Sequence, residues 1–399
     1  MTTASLAYPQ MEAELIYLDH QASTPMHPRV VAAMRASVVE NFANPHSSEH
    51  AFGWADSEAV EQARASVAEA IGADPDEVVF TSGATEADNM ALLGFGYPTG
   101  PRRRIVIGAI EHKAVIGPAR ELARRGYEVV KVSVTPNGVV DTEELEQLIN
   151  EDTLLVSLML VNNEIGTVQP VQQAAAVCAR EGALLHIDAA QALGWMPLDT
   201  VALGADFMSL SAHKMGGPKG VGALFVRREV RQRIQPIMYG GEQEDGLRPG
   251  TLPTPLCVAF GVACEELPDE GEVAAWRERS RRLEAGLLAL WRGAWINGAD
   301  ALRHPGAISV TFPGLPADQL VARLQPHVAV SRGSACTSGI PEPSHVLRAI
   351  GLAQDLCDAT IRVSVGRFTQ DREIENALSA FAYALSCVSG HLTGQISGA

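Results

Sequence analysis

Residues 183–226 read ALLHIDAAQALGWMPLDTVALGADFMSLSAHKMGGPKGVGALFV. Three short apolar runs stand in this stretch, at 183–188, 206–210 and 222–226, and the first two stop at small and polar residues. Runs of that length between turn signals read as buried strands. Working outward, the same texture recurs at 77–81, 104–109, 127–134 and 154–161, with helical patterns between several of the runs. Asp141 followed by Glu144 is a capping-box spacing that opens a helix running to about Asn150, and Gly126 and Gly182 stand where C′ glycines end the helices before them. Strand and helix in alternation predict an open α/β sheet. Ligands of such sheets bind at the carboxyl ends of the strands, so the polar residues just after each run become the site candidates.

The rest of the chain bounds the function. At 399 residues it is long enough for two or three domains, at roughly 150 residues each, without disulfide or metal staples. With 31 Lys+Arg against 47 Asp+Glu the net charge is −16, which opposes direct contact with nucleic acid or anionic lipid. No apolar run approaches the roughly 20 residues of a membrane span, and the opening MTTASLAYPQMEAEL lacks a secretory pattern, so a cytoplasmic location is expected. The six cysteines form no C-x-x-C pair and read as free thiols, and no metal site is suggested. Beyond about residue 262 a charged helical stretch at 269–291 leads to strand-like pieces at 307–311 and 361–365, which predicts a smaller α/β domain. The Gly/Ser/Thr-rich tail from residue 389 is expected to fray.

At the strand ends, Ser82-Gly83-Ala84-Thr85 is a glycine turn opening a helix, where free N–H groups and the helix dipole favour an anion. The plainer reading makes Thr85 an ordinary cap. Asp188 ends one strand, and it too has a plain reading as a cap. Lys214 follows another strand and precedes a glycine turn, where desolvation lowers an amine's pKa and frees it as a nucleophile; its plain reading is a solvated loop charge. Together the anion cradle, the acid and the lysine are what pyridoxal phosphate requires: a phosphate holder, a partner for the pyridine nitrogen and a Schiff-base amine.

The segments LDHQASTP (18–25), SGATEADN (82–89), EHKAV (111–115), VNNEIGTVQP (161–170), HIDAAQ (186–191), SAHKMGGPKGVGALFVRR (211–228), RPGTL (248–252) and SRGSACTSGIPEPSHVLRAIGL (331–352) resemble the cysteine desulfurases, pyridoxal phosphate enzymes of class V. The likeness runs in order from about Tyr17 to Phe368. It implies the fold-type I architecture: a large α/β domain (17–262) with a mostly parallel sheet flanked by helices, and a small α/β domain (1–16 and 263–399) carrying a catalytic loop at about 328–345. It further implies conversion of L-cysteine to L-alanine, with the sulfur passed first to Cys336 as a persulfide and then to an acceptor protein.

By the same resemblance, Lys214 would carry the cofactor, Asp188 would pair with its ring nitrogen, Gln191 would bond the ring hydroxyl, and His112 would stack on the ring and help move protons. Ala84, Thr85, Ser211 and His213 would hold the phosphate. Thr251 would reach the phosphate of a neighbouring subunit, which implies a homodimer. Asn163 and Arg362 would bind the substrate carboxylate, a task that suits the planar fork of arginine. Cys336 stands in a run of small and polar residues that reads as an exposed loop, where a thiol can ionise, whereas the other five cysteines sit in apolar or helical surroundings.

Some positions depart from the family's pattern. His20 and Gln21 replace two amides of a segment usually spelled LDNNATTP, Glu242 replaces a glycine, Pro249 a serine, and Met215-Gly216 a bulkier pair. These changes are expected near the mouth of the site and the dimer-facing loop. Competing readings are a selenocysteine lyase or aminotransferase on the same scaffold, and a silent scaffold that only binds sulfur-transfer partners. A nicotinamide dehydrogenase is set aside, because Gly94 to Gly100 has the wrong spacing for G-x-G-x-x-G.

Overall fold

The computed structural model describes residues 15–95, 100–332 and 344–396, with side chains as far as residue 388. Cys336 therefore lies outside the described residues.

All seven strands expected between residues 77 and 226 are present. After β1 (Ile16–Tyr17) come β2 (Val78–Thr81), β3 (Arg104–Gly108), β4 (Glu128–Val132), β5 (Thr153–Met159), β6 (Leu184–Asp188), β7 (Phe207–Ser211) and β8 (Gly222–Val226). The last seven form one sheet in the order β2-β8-β7-β6-β5-β3-β4, parallel throughout except for β8, which runs against both neighbours. Alternate residues feed different cores, as the pleat requires. Val78, Phe80, Val106, Val156 and Leu158 pack on one face, with α2 (Ala51–Glu69) and α6 (Val171–Glu181), and Val79, Ile105, Ile107 and Leu155 on the other, with α3 (Ala84–Leu93) and α4 (Lys113–Arg124). The first face is completed by residues of α1 (Pro28–Glu40), α5 (Thr142–Leu148) and α7 (Thr254–Glu265).

A second core belongs to the three-stranded sheet β12-β10-β9, made of β9 (Trp295–Ile296), β10 (Ala307–Thr311) and β12 (Thr360–Ser364). It is covered by α8 (Glu270–Leu290), α9 (Ala317–Leu324) and α12 (Asp371–Ile396). The chain's start joins this core: β1 pairs in parallel with β11 (Val328–Ala329), and Leu18 is fully buried there. The short helices α10 (His345–Ala349) and α11 (Gln354–Cys357) lie between β11 and β12 in sequence. Among the described residues no helix is long and apolar enough to cross a membrane.

Local expectations fared unevenly. Gly182 ends α6 in the left-handed region at φ 68°, and Gly126 follows α4 at φ 91°. Asp141 does cap α5, accepting from the N–H groups of Glu143 and Glu144. The reciprocal half of the capping box is absent, because the Glu144 carboxylate accepts from the Ser133 amide at 2.7 Å instead. α12 continues as helix to Ile396, past residue 389 where fraying is expected from composition. The run of Ala, Leu and Ser before the tail propagates the helix once packing has nucleated it.

Candidate functional site

The carboxyl ends of β2, β3, β5, β6 and β7 open onto a cavity of ≈ 1230 Å³. Ala84, Thr85, Ser211 and His213 line it, as do His112, Asp188, Gln191 and Lys214; from the far side Asn163 and Arg362 complete it. Ten of the twelve sequence-predicted residues thus meet in one place. Thr251 is exposed, just before α7, and does not line the cavity.

The glycine turn forms the anion cradle. Gly83 takes φ 147° before α3, a conformation that L side chains rarely adopt, and a β-carbon there would meet nothing within 4 Å. No side chain caps the helix, so Thr85, already inside α3, is not the cap; its side chain is exposed to the cavity. The free N–H groups of this first turn therefore face solvent-filled space.

Lys214 ends the short 3₁₀ turn after β7, and its Nζ donates to the carbonyls of Gln21 at 2.6 Å and Ala22 at 2.9 Å. The segment 19–24 straps this turn, since Thr24 Oγ1 donates to the His213 carbonyl and accepts from the Gly216 N–H. Burial, with the nearby Arg362 charge, lowers the Lys214 pKa to about 8, a value at which a minority of the amine, far more than of an ordinary lysine, is neutral near physiological pH. Gln191 Nε2 donates to the same Gln21 carbonyl at 2.9 Å.

Asp188 is 5% exposed at the end of β6 and accepts from the Ala190 N–H at 3.0 Å. No helix follows it, so its cap reading falls away. Burial, then the charge of Asp88, raises its pKa to about 6. His112 caps α4, its Nδ1 accepting from the Ala114 N–H at 3.2 Å, so the neutral ring carries its proton on Nε2 and keeps that edge for other partners. Desolvation holds the His112 pKa below the ordinary imidazole value, opposed by Asp188. His213 is lowered to about 4 by burial and by Lys214.

Arg362 reaches in from β12. Its Nη1 donates to the Asn163 carbonyl at 2.9 Å and its Nη2 to Asp19 Oδ1 at 2.7 Å, while the buried Nε has no partner.

One expected neighbour of the cavity lies elsewhere. His20 is buried off the cavity against Gly366, where an added β-carbon would stand 2.2 Å from the imidazole ring. Of the two replaced amides only Gln21 lines the site. Sequence reasoning missed Asp19, Asp88 and Glu111 altogether. Asp88 was legible as an acid among Ala87, Met90, Ala91 and Leu92 of α3; Asp19 carried no local signal, because its partner is 343 residues away.

The arrangement suits pyridoxal phosphate: an amine with a lowered pKa, a buried carboxylate, an open anion cradle on a helix N-terminus and an imidazole all line one cavity.

Comparison with known proteins gives the same direction. The aminotransferase class-V family matches residues 16–377. A mitochondrial cysteine desulfurase of Arthroderma benhamiae is 45% identical over 370 residues, 92% of this chain and 73% of that one. A solved structure described as SspA in complex with cysteine superposes with a TM-score of 0.78 at 34% identity, covering 89% of this chain and 99% of that one. DndA from Streptomyces lividans superposes with a TM-score of 0.71 at 39% identity, covering 86% and 97%.

Proposed function

The chain belongs to the cysteine desulfurases of the class-V aminotransferase family, and on that premise we propose that it converts L-cysteine to L-alanine, loading the sulfur onto Cys336 for delivery to an acceptor protein. The observation that carries the reading is the convergence of Lys214, Asp188, His112 and Arg362 on one cavity beside an open anion cradle.

Pyridoxal phosphate, when bound, supplies an electron sink for the carbanion at the substrate's Cα. Asp188 would meet the ring nitrogen, Gln191 the ring hydroxyl, and Ala84, Thr85, Ser211 and His213 would hold the phosphate, with Thr251 contributed across a homodimer. Arg362 and Asn163 fix the substrate carboxylate, which places Cα within reach of Lys214. The neutral Lys214 amine, released from the Gln21 and Ala22 carbonyls, accepts the Cα proton, and His112 assists from the other side. The Cys336 thiolate attacks the substrate sulfur. A new S–S bond forms, the Cβ–S bond breaks with its electron pair on Cβ, Cβ takes up the proton given up by the substrate thiol, and the proton held by Lys214 returns to Cα, which gives alanine. The exposed small-residue context of Cys336 in the sequence and the reducing cytoplasm expected for the chain keep that thiol available.

The test is single replacement. Cys336→Ala should bind cofactor and show its visible band but lose turnover of L-cysteine; full sulfide release by that variant would sink the assignment. Lys214→Ala should lose covalent retention of cofactor after borohydride treatment. Trapping a mixed disulfide to Cys336 identifies the acceptor and so separates iron–sulfur assembly, tRNA thiolation and DNA phosphorothioation.

A further inference from the structure

Arg248 does not line the cavity and has no part in the mechanism above, but its side chain reaches the turn that forms the anion cradle. Its Nε donates to Glu86 Oε1 at 3.0 Å and its Nη2 to Glu86 Oε2 at 3.4 Å. Glu86 lies in the first turn of α3 and lines the cavity, and its Oε2 also accepts the Ser82 N–H. The Arg248 side chain is 18% exposed and that of Glu86 17%, so the two charges meet where water screens them poorly.

Glu86 is an awkward neighbour for a phosphate. A carboxylate in a first turn suits the helix dipole, but this one shares its turn with the N–H groups of Ala84 and Thr85, which lack intrahelical partners and form the cradle. A phosphate ester carries a charge of about −1.5 to −2, and an uncompensated carboxylate beside it opposes binding. We infer that Arg248 is a positioning residue of the cofactor site: its fork pairs with Glu86 and so removes a negative charge that would otherwise oppose the phosphate.

The surrounding loop holds Arg248 in place. The Gly250 N–H donates to Gln243 Oε1 at 2.9 Å, and the next residue, Glu244, accepts from Arg64. Pro249 restricts the backbone of the residue before it, which is Arg248. The serine usual at that position leaves the backbone freer, so this departure from the family's pattern falls where it stiffens the pair. Burial by itself raises the Glu86 pKa, but the bonds from Arg248 and Ser82 outweigh it, so the carboxyl is held below its ordinary value and stays charged.

The inference rests on the cofactor reading, because it concerns the group that meets the phosphate. The test is equilibrium titration of the apoprotein with pyridoxal phosphate and, in parallel, with pyridoxal, which has the same ring and aldehyde without the phosphate, both read by visible absorbance. Arg248→Gln should weaken binding of pyridoxal phosphate about tenfold and of pyridoxal less than about twofold. Adding Glu86→Gln to that variant removes the unpaired charge and should recover most of the loss. An unaltered affinity for pyridoxal phosphate, equal weakening of both aldehydes, or no recovery in the double variant overturns the inference. Should Arg248→Gln fail to fold, Glu86→Gln alone decides: it leaves the Arg248 charge unopposed, so the preference for pyridoxal phosphate over pyridoxal should rise, and an unchanged or lower preference overturns the inference. A parent protein that never develops the visible band with pyridoxal phosphate would instead sink the cofactor reading itself, and this inference with it.

Discussion

Arg362 Nη2 donates to Asp19 Oδ1 at 2.7 Å, and this bond ties a strand of the three-stranded sheet to the segment that straps Lys214. The Arg362 side chain is 7% exposed and that of Asp19 21%, so the pair is largely sheltered from water. A charge-assisted bond in such a setting fixes the direction of the guanidinium.

With Arg362 as the proposed holder of the substrate carboxylate, Asp19 is expected to act on the substrate through it. Asp19→Ala is expected to raise KM for L-cysteine about tenfold, the equivalent of roughly 1.4 kcal/mol, with a smaller fall in kcat. Asp19→Asn, which keeps one acceptor oxygen, should recover part of the loss. Steady-state kinetics decide it, and an unchanged KM in Asp19→Ala would refute the positioning role.

Lys214 sets a pH dependence of cofactor capture. Only the neutral amine attacks an aldehyde, and burial lowers the Lys214 pKa from 10.5 to about 8. The rate of covalent loading of apoprotein should rise about tenfold per pH unit below that value and level off above it. Stopped-flow absorbance at fixed pyridoxal phosphate measures the profile. A rate still climbing at pH 10 would mean that the amine is not desolvated as its surroundings require.

Arg64 and Glu244 are expected to hold the 240–252 segment to the large sheet. Arg64 donates from Nη1 and Nη2 to the two Glu244 oxygens at 2.8 and 2.7 Å, and the Phe80 N–H of β2 donates to Glu244 as well. Glu244 and Asp245 sit at φ 51° and 54°, in the left-handed region uncommon for such residues, so the contact must outweigh backbone strain. Arg64→Ala leaves a buried charge unpaired and should cost about 3–5 kcal/mol in urea unfolding. A loss under about 1 kcal/mol would show that the pair is not what anchors the segment.

The large sheet was readable because its signals are short-range. Each strand is a compact apolar run, and glycines at 126 and 182 punctuate the helices before them through backbone geometry alone. The errors are local competitions that the sequence does not resolve. Glu144 has a good partner either in its own helix cap or in Ser133, and the fold brings Ser133 close enough to win. Thr85 has the composition of a cap, but Gly83 already turns the chain, which leaves the hydroxyl residue two positions further on, inside the first turn and lining the cavity. His20 falls beside two cavity residues in sequence and packs away from them because Gly366 leaves room for its ring.

By itself the sequence singled out the groups proposed to do the chemistry. Lys214, Asp188 and the glycine turn at 82–85 each follow a strand, so local pattern places them at the sheet's carboxyl edge, and ordered motifs name His112, Arg362 and Cys336. Only the tertiary structure decided how those groups are supported and charged. Asp19 finds Arg362 across 343 residues, Arg64 finds Glu244 across 180, and Asp88 meets His186 between α3 and β6. Those contacts exist because packing removes water from both partners at once, and the same loss of water moves Lys214 down and Asp188 up, an effect of the assembled core that no run of neighbouring residues encodes.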